Sequence, residues 1–168
     1  GDHRDLHLSI RRQRQMCIRD SCMMAVNTII LKGGNHQIEV TLDAIASPGM
    51  AIELAADGKY DPVASAQAEA LKQGIQPVLI EDSLQGKTVD DAYASGDKAQ
   101  AYQAVAGDHL QVLVKDGQTI AVADKLVVEG GGSGLFVEAA GSETAYQVKA
   151  LEAVSPSGSN GLCKVVVL

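Results

Sequence analysis

Residues His109–Ile120 read HLQVLVKDGQTI. Leu110, Val112 and Val114 alternate with Gln111, Leu113 and Lys115. Successive side chains of an extended backbone point to opposite faces, so a period of two predicts a strand with one face buried. Asp116-Gly117 follows at once and is a tight-turn signal, because glycine adopts positive φ at little steric cost. The expectation is a strand, a turn and a second arm over Thr119–Val122, with a third short strand over Lys125–Glu129.

The same punctuation continues in both directions. Toward the C-terminus, GGGSG at 130–134 is a turn and Tyr146, Val148 and Ala150 alternate. SPSGSNG then makes a loop before the closing strand LCKVVVL. Toward the N-terminus, the short apolar run Ile29-Ile30-Leu31 stops at Gly33-Gly34-Asn35. Ile38, Val40 and Leu42 alternate with Glu39, Thr41 and Asp43, which predicts a half-buried strand. SPG at 47–49 is a turn, Met50–Leu54 is a candidate strand, and ADGKYDP ends it. VASAQAEALKQ, from Val63 to Gln73, is rich in helix formers and stops at Gly74, so it is the candidate helix or an ordered excursion. Val78-Leu79-Ile80 is a brief apolar run, followed by a polar loop and an excursion over Asp90–Gln100. Short strands spaced roughly 8–12 residues apart, with glycine-rich turns, predict a mainly β fold. A small β-barrel or β-sandwich fits, with one short helix or ordered excursion.

Composition divides the 168 residues into two unlike pieces. All five arginines (Arg4, Arg11, Arg12, Arg14 and Arg19) fall within residues 1–22, as do Cys17 and Cys22. That prefix carries +2, whereas residues 23–168 have nine lysines against eighteen acidic side chains, a formal charge of −9. A body so acidic repels phosphate backbones, which argues against nucleic acid and in favour of a basic protein surface. No run approaches the ~18 apolar residues of a membrane-spanning helix, so no membrane partner is expected. The core must come from Val, Ile, Leu and Ala, with Phe136 the sole phenylalanine. Few large aromatic anchors are left for a deep ligand pocket. The basic stretch RRQRQMCIRDS at 11–21 resembles a translation of sequencing-adapter bases, so 1–22 is expected to be a non-native, disordered extension, with the protein proper starting at Met23 or Met24.

Each candidate for chemistry is better explained structurally. The glycine clusters at 32–34 and 130–134 lack the spacing of a phosphate loop or a dinucleotide fingerprint. Asp108 precedes His109 and could orient it for acid–base work, but no serine or cysteine nucleophile accompanies them in sequence. The pairs Glu81-Asp82 and Asp90-Asp91, and DGKYD at 57–61, offer oxygen ligands without the spacing of a calcium loop. Cys17 and Cys22, with His3 and His7 upstream, are of zinc-ligand type but lack a hydrophobic set to fold around a metal. Cys163 reads as a small buried side chain. No catalytic, cofactor-binding or metal residue is assigned, no cofactor is expected, and an enzyme is disfavoured.

A family pattern is carried by the C-terminal half. Gly107, Asp108 and Leu110 lead into a strand, and Asp116 and Gly117 make the turn. Val148, Ala150, Leu151, Glu152 and Ala153 precede a Gly/Ser-rich loop, and Val165, Val167 and Leu168 close the chain. This order resembles the small capsid decoration, or cement, proteins of tailed bacteriophages, well over residues 100–168 and in general character over 24–99. The resemblance implies that 23–168 is a capsid decoration β domain. Such a domain binds the major capsid protein on the exterior of the virion and stabilises the head without catalysis. It also implies manufacture in the host cytoplasm and assembly as a homo-oligomer, with a trimer favoured. The alternative is a carbohydrate- or cell-surface-binding β module of a phage tail or secreted protein, whose site would be marked by exposed aromatic platforms.

Overall fold

The computed structural model describes residues 28–34, 36–64, 76–140 and 148–168. The expected extension over 1–22, both candidate start methionines, Tyr146 and the candidate helix beyond Ala64 lie outside the described residues. Eleven strands are formed among the described residues. In the first half they are β1 (Ile30–Lys32), β2 (Gln37–Thr41), β3 (Ile52–Leu54), β4 (Tyr60–Pro62), β5 (Val78–Ile80) and β6 (Lys98–Tyr102). In the second they are β7 (His109–Val114), β8 (Lys125–Val128), β9 (Phe136–Glu138), β10 (Val148–Ala150) and β11 (Gly161–Val167). The helical structure among the described residues is a 3-10 turn at Ser83–Gln85.

The alternation in the two longest strands builds the core. β7 and β11 pair antiparallel from Gly161 opposite Val114 to Val166 opposite His109. That register sets Leu110 opposite Val165 and Val112 opposite Cys163, all four fully buried. β10 adds Val148 and Ala150 to the same interior, and β8 adds Leu126 and Val128. The ring runs β7-β11-β10-β8-β9, and a parallel pairing of Val114 with Phe136 returns it to β7. The result is a closed five-stranded barrel rather than a sandwich, its interior filled by side chains as in other small barrels. Closure also removes the free edges of an open sheet. β1 pairs with β7 outside this ring.

A second, three-stranded sheet of order β2-β6-β5 and a hairpin of β3 with β4 lie against the barrel. β5 explains why its sequence is apolar throughout. Val78 and Ile80 join the barrel core, while Leu79 joins a second cluster with Val40, Leu42, Ile52, Tyr93, Ala99 and Ala101. A strand buried on both faces loses the alternation that marks a half-exposed one.

The turn at Asp116-Gly117 forms as expected, with Gly117 at φ 78°. It does not join a hairpin to Thr119–Val122. From that arm only Ile120 pairs, and its partner is Val154. β11 occupies one side of β7, and β1 and β9 share the other, so no edge remains for a second arm. The GGGSG segment is a turn between β8 and β9, and Gly134 is required there. It has φ 61°, and a Cβ at that position would stand 2.6 Å from the carbonyl oxygen of Ala51.

Candidate interaction surface

Asp108 and His109 are neighbours in sequence and diverge in space. Asp108 is buried, and its Oδ2 accepts the Tyr102 hydroxyl at 2.8 Å and the Val105 amide at 3.0 Å. Burial first, and then the hydrogen bond to Asp108, raise the pKa of the Tyr102 hydroxyl. His109 is half-buried at the start of β7, opposite Lys32 and Val166. The carboxylate therefore braces a turn against a buried tyrosine instead of orienting an imidazole.

Of the acidic candidates, Glu81, Asp82, Asp91 and Asp57 are likewise committed to backbone amides. Glu81 accepts the Thr28 hydroxyl and, at 3.0 Å, the Ile29 amide, tying the entry of β1 to the end of β5. Asp82 caps the 3-10 turn through the amides of Leu84 at 3.0 Å and Gln85 at 3.3 Å, as a short acidic side chain at such a position does. Asp91 accepts the amide and hydroxyl of Thr88, which together lower its pKa. In DGKYD, Asp57 accepts the Lys59 amide at 3.0 Å, and Lys59 reaches across to Asp43 at 2.5 Å. Among the described residues, no group of three His, Cys, Asp or Glu side chains could hold a metal ion. Cys163 is buried among apolar side chains, and that burial pushes its thiol up to about 11.

Aromatic residues offer no exposed platform among the described residues. Tyr93 and Tyr102 are fully buried and Tyr60 is half-buried. Tyr93 donates to the Ile80 carbonyl at 2.9 Å, and burial pushes its hydroxyl up to about 12.

What the surface does present is a cleft of about 670 Å³ between β1 and the segment following β5. Ile30, Ile80 and Leu84 give it apolar walls, and Glu81, Asp82 and Lys87 give it charge. Leu84, at the cleft lip, is 97% exposed. The sequence reads here as a polar loop with Glu81-Asp82 as candidate oxygen ligands, and it gives no sign of an apolar anchor. Asp82 followed three residues later by Gln85, then Gly86, carried a capping signature that could have marked an ordered turn.

No family model matches the chain, and no curated protein matches it. Among solved structures, the N base of head fiber gp8.5 of bacteriophage phi29 matches with a TM-score of 0.50 at 15% identity. The match covers 79% of this chain and 92% of that one. The chain is similar in fold to a phage head fiber base. At this identity the likeness is one of fold alone.

Proposed function

We propose that this chain is a non-catalytic structural protein of a phage virion that binds the outer surface of the major capsid protein shell and stabilises the head. It acts there as a homo-oligomer, with a trimer favoured. The observation that supports this most is the likeness in fold to the head fiber base of phi29, which spans nearly all of that domain. Two further features agree with it. Among the candidate acid–base and metal residues, Asp108, Asp82 and Asp91 are engaged in bracing turns. The chain carries a net charge of −7, suited to a basic docking surface. A shallow surface repeated over a symmetric shell gains strength by avidity, without needing a deep pocket. The carbohydrate-binding alternative draws no support from the described tyrosines, which are buried or half-buried.

The test is co-sedimentation of purified chain with heads of its own phage that lack it, followed by thermal disruption of the decorated heads. Binding at a fixed ratio to shell subunits and a higher disruption temperature are expected. Heads that stay bare at micromolar chain would refute the proposal, and sedimentation velocity of the free chain reads the oligomeric state.

A further inference from the structure

We propose that the segment following β5 is the gripping element of this surface. Leu84 is its apolar anchor, and the surrounding carboxylates select a basic-rimmed apolar recess on a protein partner. The inference rests on the proposed function, which makes that partner a shell subunit.

Leu84 is the most exposed of the large hydrophobic side chains among the described residues, at 97%. The backbone beneath it is nonetheless fixed. Asp82 accepts the Leu84 and Gln85 amides, and the Lys87 amide donates to the Asp82 carbonyl at 2.9 Å. Gly86, left-handed at φ 72°, closes back on the Ser83 carbonyl at 3.2 Å. Gln85 Nε2 bridges Asp82 at 2.7 Å and the Lys98 carbonyl at 3.2 Å, which fastens the turn to β6. A leucine held in water by so ordered a turn gives the isolated fold no burial. Its order does lower the entropic cost of docking, which suits a pre-formed anchor at the centre of an interface. The apolar wall of Ile30 and Ile80 beside it leaves room for a side chain of the partner.

Charge settles the kind of partner. Glu81 and Asp82 line the cleft beside Leu84 with Lys87 as the cation there, Asp90, Asp91 and Asp97 follow in the same segment, and the next cation, Lys98, is paired with Glu39. Lys87 is turned onto its own loop, donating to the Ala92 carbonyl at 3.0 Å and lying 5.4 Å above the Tyr93 ring. The field around Leu84 is thus negative, which favours lysine- or arginine-rimmed surfaces and repels acidic ones.

The experiment measures binding of full-length chain to empty heads assembled from the shell protein, for wild type, Leu84→Ala, Leu84→Asp, Asp90→Lys and Leu54→Asp. Leu54 is 62% exposed on the separate β3–β4 hairpin and serves as the matched control. About tenfold weaker binding is expected for Leu84→Ala and a larger loss for Leu84→Asp. Asp90→Lys should weaken binding and flatten its salt dependence, while Leu54→Asp stays within about twofold of wild type. Thermal midpoints should agree within about 2 °C, since exposed substitutions cost the fold little. Wild-type affinity in Leu84→Asp, or equal losses in Leu84→Asp and Leu54→Asp, overturns the anchor while leaving the proposed function standing. Wild-type chain that fails to bind overturns both.

Discussion

Tyr102 donates its hydroxyl to Asp108 Oδ2 at 2.8 Å, and Gly33 packs so closely on the pair that a Cβ there would run into the hydroxyl. The contact joins the end of β6, the turn before β7 and the end of β1. Tyr102→Phe strips the buried carboxylate of one donor and is expected to cost about 1–3 kcal/mol. Gly33→Ala should cost a similar amount, about 1–3 kcal/mol, through overpacking. In the double variant the missing hydroxyl relieves part of the clash, so urea midpoints should show less than additive loss. Strict additivity would mean that the two sites do not touch.

The barrel closes at Phe136. Phe136 is buried at the parallel pairing that closes the ring, opposite Val114, and its carbonyl accepts the Lys115 amide at 3.0 Å. Phe136→Ala is expected to lose about 3–5 kcal/mol and Phe136→Leu distinctly less. Hydrogen exchange should show early opening at Lys115 in the alanine variant. Uniform acceleration across all strands would instead indicate that closure is spread round the barrel.

Ala123 is the non-glycine residue with positive φ, 76°, among the described residues. It sits in a turn where the Ala121 amide donates to Asp124 Oδ2 at 2.6 Å. An L-residue in this region carries about 1 kcal/mol of steric cost, so Ala123→Gly should raise stability by up to about 1 kcal/mol after the added freedom of the unfolded chain is set against it. Asp124→Ala should act in the opposite direction. The check is chemical denaturation with an unchanged slope.

Alkaline pH should weaken the fold. The Cys163 thiol is raised from 9.0 to about 11 and the Tyr93 hydroxyl from 10.0 to about 12, in each case chiefly by burial. The folded state keeps these protons while the unfolded chain releases them. Their contribution is therefore complete below about pH 9 and is lost progressively as pH rises toward 12. Denaturation midpoints should be flat from neutral to about pH 9 and then fall, with the fall reduced in Cys163→Ala. Peptide mapping after alkylation at pH 8 should find Cys163 protected until the chain unfolds.

Legibility in the sequence followed the physics of each strand. β2, β7, β10 and β11 were read correctly because apolar side chains stand at alternate positions of each and turn to the core, even where the other face carries a buried polar residue such as Gln111. β6 escaped notice because Ala99 and Ala101 supply its buried face with little hydrophobic contrast. β4 was hidden by Pro62, which donates no hydrogen bond and is tolerated in a two-stranded hairpin. The choice between barrel and sandwich turned on the Val114–Phe136 pairing, a long-range contact that leaves no local trace. At the surface, proximity in sequence suggested Asp108 with His109, yet neighbours in extended chain project to opposite sides. Leu84 could be read as ordered from its capping residues, but its near-complete exposure is a property of the assembled fold alone.

β11 lies between β7 and β10 and is hydrogen-bonded along both sides, whereas β1 touches the ring on one side only, through a register broken between Ile30 and Lys32. The two ends of the barrel chain therefore respond differently to a mechanical pull. Tension applied beyond Val167 draws a central strand lengthwise against two neighbours, so many hydrogen bonds must yield together. Tension applied before Thr28 first loads the Glu81 tie and then peels a short marginal strand away, a few hydrogen bonds at a time. A tether on this molecule would hold far more firmly at the β11 end than at the β1 end.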